Sequence, residues 1–340
     1  MINGVLLKGY GGFYYVYAED RVWECSLRGR FRVKDQEFLP GDRVTILPED
    51  ESERVQPKLN IEPSVTKASD DDNEYSTSTE AEFGTPTYRS GGLRIDKATI
   101  ESVEPRRNVL SRPAIANVDQ AILVFAMTSP KPDLNLLDRL LIQVTDADIE
   151  PILVFTKLDK YRKDALAGDS EDHAITDVYH KIGYSVFEVS SETGQGIEEI
   201  GARLTNKISV LAGPSGAGKS SLFNALSPGK KLKTGQISLK SKRGRHTTRH
   251  VELMVCAGGL VADTPGFSSL FLPDMKRSEL GDCFPEFAQR RRQCRFNSCL
   301  HDKEPNCAIK AALEDGVISP IRYEHYLIFL KEVIEAERKY

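Results

Sequence analysis

Gly213-Pro214-Ser215-Gly216-Ala217-Gly218-Lys219-Ser220 satisfies G-x-x-x-x-G-K-[ST] at every position, and its flanks leave few architectures open. Five apolar-rich residues, 208–212, read as a strand entering the turn, and 221–226 (SLFNAL) reads as a helix leaving it. Glycines at such a turn let backbone N–H groups converge on phosphates, and the following helix N-terminus adds its dipole. In that cradle Lys219 reaches the β- and γ-phosphates, the Ser220 hydroxyl ligates Mg²⁺, and Ser221 continues the binding segment into the helix.

The chain upstream alternates strand and helix. Residues 120–126 (QAILVFA), 151–155 and 185–189 are apolar strands, separated by helical patterns over 135–146 and 172–182, with a further helix over 197–207. Continuous apolar strands between helices require a parallel sheet covered on both faces. Downstream, the apolar run beginning at Gly259 ends in Asp263-Thr264-Pro265-Gly266. About fifty residues after the glycine-rich turn, Asp263 is placed to join the Mg²⁺ shell and the Gly266 amide to sense the γ-phosphate.

The second strand ends in Thr156-Lys157-Leu158-Asp159. An aspartate there accepts hydrogen bonds from the guanine ring N–H and exocyclic amine together, whereas adenine has the wrong donor pattern at that edge. The Lys157 stem lies along base and ribose. Ser190 and Ser191 end the next strand, where GTPases place a loop whose backbone meets the guanine carbonyl. Either motif alone matches an ordinary surface turn; together they favour GTP over ATP. Their order is reversed, with base-reading motifs before the phosphate cradle. A sheet unchanged in space then requires a circular permutation, which puts the switch segments, between 227 and 267, directly before the C-terminal region.

Residues 1–108 read differently. Short strands at 4–7, 13–17, 21–25, 43–46 and 97–103, with turns at Gly11-Gly12 and Pro40-Gly41-Asp42, suggest a small all-β barrel such as an OB-fold. Residues 49–92 interrupt it. Eleven acids against three bases give 49–85 a charge of −8, so the net −4 of the chain hides a remainder at +4. So polar a segment cannot bury enough surface to offset chain entropy, and disorder is expected.

Four of the six cysteines lie between Cys283 and Cys307. Nothing in the N-terminus reads as a secretory signal and no apolar run reaches about 20 residues, so a cytoplasmic, non-membrane protein is expected. In that compartment clustered cysteines indicate metal. Cys294, Cys299, His301 and Cys307 fill a tetrahedral Zn²⁺ shell and leave no position for water, hence a structural ion. Cys283 reads as a small core residue. The chain ends with Ser319-Pro320 opening a long helix, the serine as cap and the proline in the first turn.

The order of motifs, the flanking barrel and the cysteine cluster together resemble ribosome small subunit-dependent GTPase A, the circularly permuted bacterial assembly GTPase family. GPSGAGKSS, GRHTTRHVEL and GGLVADTPGFSSL carry the resemblance beside the cysteines, and it covers the chain outside 49–92. Two positions depart: Thr156 stands where the family's base reader has asparagine, and Ser191 where many GTPases have alanine. The resemblance implies a permuted P-loop GTPase domain (113–272), preceded by the barrel and followed by a zinc-binding, mainly helical domain (273–340). It implies GTP hydrolysis to GDP by a monomer that assists late maturation of the small (30S) ribosomal subunit and binds its rRNA.

Many GTPases orient the attacking water with a glutamine just after Asp-x-x-Gly, and here that position is Phe267. His246 is the candidate to orient water instead, beside Lys219 as the other catalytic residue; contact of His246 with RNA is the alternative. Thr247 or Thr248 completes the Mg²⁺ shell. For RNA, Arg28, Arg30, Arg32 and Lys34 alternate so that a strand would show all four on one face, with Trp23 and Phe31 free for stacking. No acid but eight bases occur between 225 and 250, and Arg290, Arg291 and Arg292 crowd the metal motif. Two other readings remain at this point, a nucleotide-holding RNA scaffold with little hydrolysis and an ATP-using P-loop enzyme.

Overall fold

The computed structural model describes residues 1–29, 31, 37–49, 96–111, 114–166, 173–227, 251–263 and 271–338. The acidic segment beyond Glu49, together with Arg30, Arg32, Lys34, His246, Thr247, Thr248 and Gly266, lies outside the described residues.

Five strands, β1 (Ile2–Tyr10), β2 (Phe13–Ala18), β3 (Arg21–Leu27), β4 (Arg43–Pro48) and β5 (Asp96–Val103), close a barrel in the order β1-β2-β3-β5-β4. Alternation sends Leu6, Val16, Trp23, Cys25, Val44, Ile46, Ala98 and Ile100 inward. Two expectations fail here. Trp23 is only 5% exposed and donates its indole N–H to the Ala18 carbonyl, so it fills the core and offers no stacking face. At its described residues, Arg28, Gly29 and Phe31, the basic run does not continue the strand. β3 ends at Leu27, opposite Ile100, and the Phe31 N–H turns back onto the Arg28 carbonyl. Phe31 then packs edge-on against Phe38 at 5.7 Å, closing the barrel's end. Burial of that ring, with Gly29 before it, overrides the alternation of arginines.

A short hairpin, β6 (Val109–Ser111) and β7 (Ala114–Ala116), leads out of the barrel. It bears directly on the turn at Gly41, whose φ is +92° and where a Cβ would meet the Ala116 carbonyl oxygen at 2.0 Å; only glycine fits. Lys8 and Glu252, 2.8 Å apart, also tie the barrel to the following sheet.

That sheet has six strands: β8 (Gln120–Ala126), β9 (Glu150–Thr156), β10 (Ser185–Glu188), β11 (Ile208–Ala212), β12 (Leu253–Cys256) and β13 (Gly259–Asp263). Their order is β10-β9-β8-β11-β13-β12, parallel except for β12. Ala121, Leu123, Phe125, Leu153 and Phe155 point to one face, covered by α1 (Leu134–Asp146), α2 (Leu158–Leu166) and α3 (His173–Ile182). Ile122, Val124, Ile152 and Val154 point to the other, covered by α4 (Ile197–Leu204) and α5 (Lys219–Leu226). Both faces are thus dry, as continuous apolar strands require. The chain leaves β8 toward β9 and β10 but leaves β11 toward β13 and β12, so the direction of winding reverses between β8 and β11. Such switch points are where open α/β sheets bind ligands.

The C-terminal module carries α6 (Pro285–Ala288), α7 (Ala308–Glu314) and α8 (Pro320–Glu337) around Leu280, Phe284, Phe287, Ile309, Tyr326 and Phe329. Cys283 sits in this core as expected, and burial pushes its thiol up to about 12. Ser319 occupies the cap position of α8, but its hydroxyl makes no capping hydrogen bond. No helix among the described residues is long and apolar enough to cross a membrane.

Candidate functional site

The sheet's C-terminal edge at the switch point collects the sequence motifs. β11 runs into residues 213–218, which turn sharply before α5. Gly213 has φ +133°, and a Cβ there would lie 2.0 Å from the Val124 carbonyl oxygen, so the turn packs onto β8 as only glycine permits. Ser215 and Gly216 are exposed at the mouth, Ala217 is buried, and Ser220 and Ser221 are half-buried in the first turn of α5. Lys219 folds back, its ammonium donating to the Gly213 and Pro214 carbonyls at 2.8 Å each. Phosphate oxygens entering the turn would compete for those donors.

The base-reading segment reaches the same turn from β9. Thr156, fully buried, donates its hydroxyl to the Ala217 carbonyl, bolting the reader to the cradle from about 60 residues upstream in the chain. Lys157 takes φ +62°, which swings the chain out of the strand and lets α2 begin at Leu158. Its ammonium donates to the Ser129 carbonyl, and burial followed by repulsion from Lys160 holds it below the usual lysine range. Leu158 is buried and its N–H donates to the Val189 carbonyl at 3.2 Å.

Asp159 and Ser190 meet. The buried Ser190 hydroxyl donates to Asp159 Oδ1 at 2.7 Å, and itself accepts from the Thr193 N–H at 3.2 Å. One carboxylate oxygen is therefore oriented. Arg162 of α2 clamps the same loop through Gln195 at 3.0 Å. Ser191, half-buried, lies beside Ser190 at the end of β10. Asp263 ends β13, two strands from β8 and adjacent to β11 at Leu211, on the same sheet edge. The structure thus brings the cradle, the aspartate and the serine loop together at one edge of the sheet.

Sequence reasoning missed one part of that site. Ser129 and Pro130, between β8 and α1, lie against it: the Ser129 carbonyl holds Lys157, and the Pro130 ring is 3.6 Å from where a Gly216 Cβ would be. A backbone carbonyl has no side-chain signature, so the residues alone could not have flagged it.

A second cluster lies in the C-terminal module. The ligand atoms of Cys294, Cys299, His301 and Cys307 are all within 4.8 Å of one another. Cys307 Sγ and Cys294 Sγ stand 3.4 and 3.6 Å from His301 Nδ1, and the two sulfurs 4.0 Å apart. A tetrahedron with Zn–S of about 2.3 Å and Zn–N of about 2.1 Å has edges of about 3.8 and 3.6 Å. The residues present therefore fit a four-coordinate zinc ion. Burial and the Arg291 guanidinium keep the His301 imidazole below its ordinary range, favouring its neutral, ligating form. The knuckle is braced from outside: Tyr323 and Tyr326 of α8 donate to the His301 and Leu300 carbonyls at 2.7 and 2.8 Å, and Glu304 accepts from the Leu300 and Asp302 N–H groups. These braces went unnoticed in the sequence because tyrosines at helical spacing read as core.

The basic candidates divide. Arg28 is committed to Glu101 at 2.6 Å. Arg291 pairs with Asp282, and Arg290 caps the Glu286 carbonyl at 3.1 Å. Arg292 is exposed, as is Arg295, whose guanidinium lies 5.3 Å above the Phe296 ring.

Comparison with known proteins agrees with this architecture. Residues 103–273 match the RsgA GTPase family model and residues 3–55 the RsgA N-terminal domain. The chain is 46% identical over 340 residues to the small ribosomal subunit biogenesis GTPase RsgA of Moorella thermoacetica, with all of both chains covered. To that of Carboxydothermus hydrogenoformans it is 42% identical, covering 99% of each. Among solved structures it is similar to YloQ, described as a circularly permuted GTPase, with a TM-score of 0.72 and 34% identity over 99% of this chain and 96% of that one. YjeQ from Thermotoga maritima gives a TM-score of 0.73 at 32% identity, covering 98% of both.

Proposed function

Because the chain belongs to the RsgA GTPase family and is a GTP hydrolase of the circularly permuted type, we propose that it binds the small ribosomal subunit and its rRNA, assists late maturation, and turns GTP over faster when bound. The observation that carries the guanine reading is the meeting of Asp159 with Ser190 beside a cradle to which Thr156 is bolted. In this reading Asp159 accepts from the guanine edge, the 213–218 amides cradle the phosphates, and Lys219 transfers from the two turn carbonyls to the β- and γ-phosphates. Mg²⁺, when bound with GTP, neutralises charge developing on the phosphates; Ser220, Asp263 and one of Thr247 and Thr248 would hold it. Gly266 would contact the γ-phosphate, and His246 would orient the attacking water in place of the glutamine that Phe267 replaces.

Zinc at Cys294, Cys299, His301 and Cys307 would cross-link the C-terminal module and take no part in hydrolysis, since four protein ligands close its shell. Three domains, 1–108, 113–272 and 273–340, divide the labour in a cytoplasmic monomer. Of the described arginines weighed for RNA, the exposed Arg292 is best disposed to meet phosphate, whereas Arg28, Arg290 and Arg291 would first have to leave their partners.

GTP turnover measured with and without purified small subunits tests the proposal, with Lys219→Ala as the inactive control. Stimulation supports it; turnover unmoved by subunits favours a scaffold, and ATP competing equally with GTP removes the guanine reading.

A further inference from the structure

α1 carries two adjacent charges, Asp138 and Arg139, in an otherwise apolar stretch, and the C-terminal module grips both. Arg139, 7% exposed, makes a two-pronged ion pair with Glu332 of α8, Nη1–Oε2 2.6 Å and Nη2–Oε1 2.7 Å, and its guanidinium lies 4.7 Å above the Phe329 ring. Asp138 receives Arg322 at 2.5 Å and Tyr179 at 2.7 Å on one oxygen and His325 at 2.6 Å on the other. Arg322 also spans both oxygens of Glu286, at 2.9 and 3.2 Å. Farther along α1, Ile142 joins the module's core and Gln143 donates to the Phe271 carbonyl at 2.8 Å.

The other end of α1 is tied to the nucleotide cleft. Asp133 caps the helix through the Leu136 N–H at 3.0 Å. The Met127 N–H is fixed to the Thr156 carbonyl at 3.0 Å. Between these anchors run Ser129, which holds the Lys157 ammonium, and Pro130, which flanks Gly216. A 13-residue helix is about 20 Å of stiff rod. Its middle, from Asp138 to Gln143, is gripped by the C-terminal module, and the chain entering its near end carries Ser129 and Pro130. Charges buried in paired, hydrogen-bonded form hold one geometry and resist small slides, because an offset leaves a desolvated charge unpaired.

We propose that Arg139, held by Glu332, is a positioning residue of the nucleotide site: through α1 the C-terminal module sets where Ser129 and Pro130 stand, and thereby how fast guanine nucleotide leaves. The partner's part in this rests on the small-subunit reading above. A subunit that engages the C-terminal module pulls on the same rod, and nucleotide in the cleft biases the module in return, since coupling between two sites is reciprocal.

The test is release of a fluorescent GDP analogue from the full, zinc-loaded chain. Glu332→Gln, a half-exposed position outside the cleft, accelerates release about threefold to tenfold while the association rate constant and zinc content stay at the wild-type level. Glu337→Gln is the matched control, because it breaks the Arg277 pair on the same helix without touching α1. It leaves release unchanged. Arg139→Met accelerates release as well, and adding Glu332→Gln to it brings no further change, as expected of two groups acting as one contact. Wild-type release in Glu332→Gln overturns the proposal, and so does equal acceleration by Glu332→Gln and Glu337→Gln, which would mean general loosening of α8. In a second arm, small subunits shift the release rate of the wild-type chain and not that of Glu332→Gln. Subunits that bind but leave wild-type release untouched overturn the coupling to the partner; subunits that do not bind at all remove the small-subunit reading, and the first arm still decides the role of Arg139.

Discussion

Asp159 can discriminate bases only if its carboxylate is held still, and Ser190 holds it by one oxygen. Replacing the acid by an amide turns half of that edge from acceptor to donor. Asp159→Asn should therefore lower affinity for GTP by about 10²-fold and raise that for xanthosine triphosphate, since an unmatched buried polar pair costs roughly 1–3 kcal/mol; competition binding with both nucleotides measures it, and unchanged preference would remove the base-reading role. Thr156 has a different task. Its hydroxyl spans from β9 to the Ala217 carbonyl, so Thr156→Val keeps the volume and deletes the bond. The expected result is GTP binding weakened about fivefold to tenfold, on the order of 1 kcal/mol, with GDP and GTP affected alike because the bond reaches no γ-phosphate. The motif letters showed both residues as base-proximal. They did not show that threonine, in the place of asparagine, serves as a bolt, because that depends on which carbonyl of a facing loop comes within reach.

Elements were legible where period and length were both generous. β8, β9 and β11 run as continuous apolar strands, and the reversal of motif order required a permuted sheet whose switch point now lies between β8 and β11. The three-residue strands β6 and β7 carry too little period to be seen. The arginine alternation after Leu27 suggested a strand, but the chain turns back where the Phe31 N–H meets the Arg28 carbonyl and the Phe31 ring packs on Phe38. Asp138 and Arg139 were a missed signal: two charges inside an apolar helical pattern had to find partners, and α8 supplies them. The metal knuckle was legible from its ligands, but not the tyrosines that brace it. Removing zinc with a chelator should unfold the C-terminal module while the six-stranded sheet persists, because an ion at the Cys/His cluster would cross-link the module's small core and not the sheet. A chelated chain that has lost helical signal before heating, yet keeps the sheet's thermal transition, would show this; a scan and spectrum unchanged by chelation would contradict a structural ion.

Across the whole molecule, the barrel, sheet and C-terminal module are joined by buried polar contacts as well as by apolar ones. Asp42, fully buried, accepts from Arg106 and from the Leu39 N–H, fastening the barrel's turn to the chain that leaves it. Arg322 joins the sheet's α1 to α6 and α8. Arg322→Met should cost about 3–5 kcal/mol, since Asp138 and Glu286 would stay buried without their shared cation. Replacing all three by apolar residues should recover much of that loss. Urea denaturation of the single and triple variants decides between a network kept for stability and one kept for geometry.

The permuted connectivity bears on how the chain is made. β8 pairs with β9 as soon as both have been synthesised, but its other neighbour, β11, follows about 80 residues later. At about 5–20 residues per second, the open edge of a strand with no polar face waits about 4–16 s for its partner on a translating ribosome. A nascent chain arrested between β10 and β11 should bind chaperones or aggregate, and one arrested beyond β13 should not.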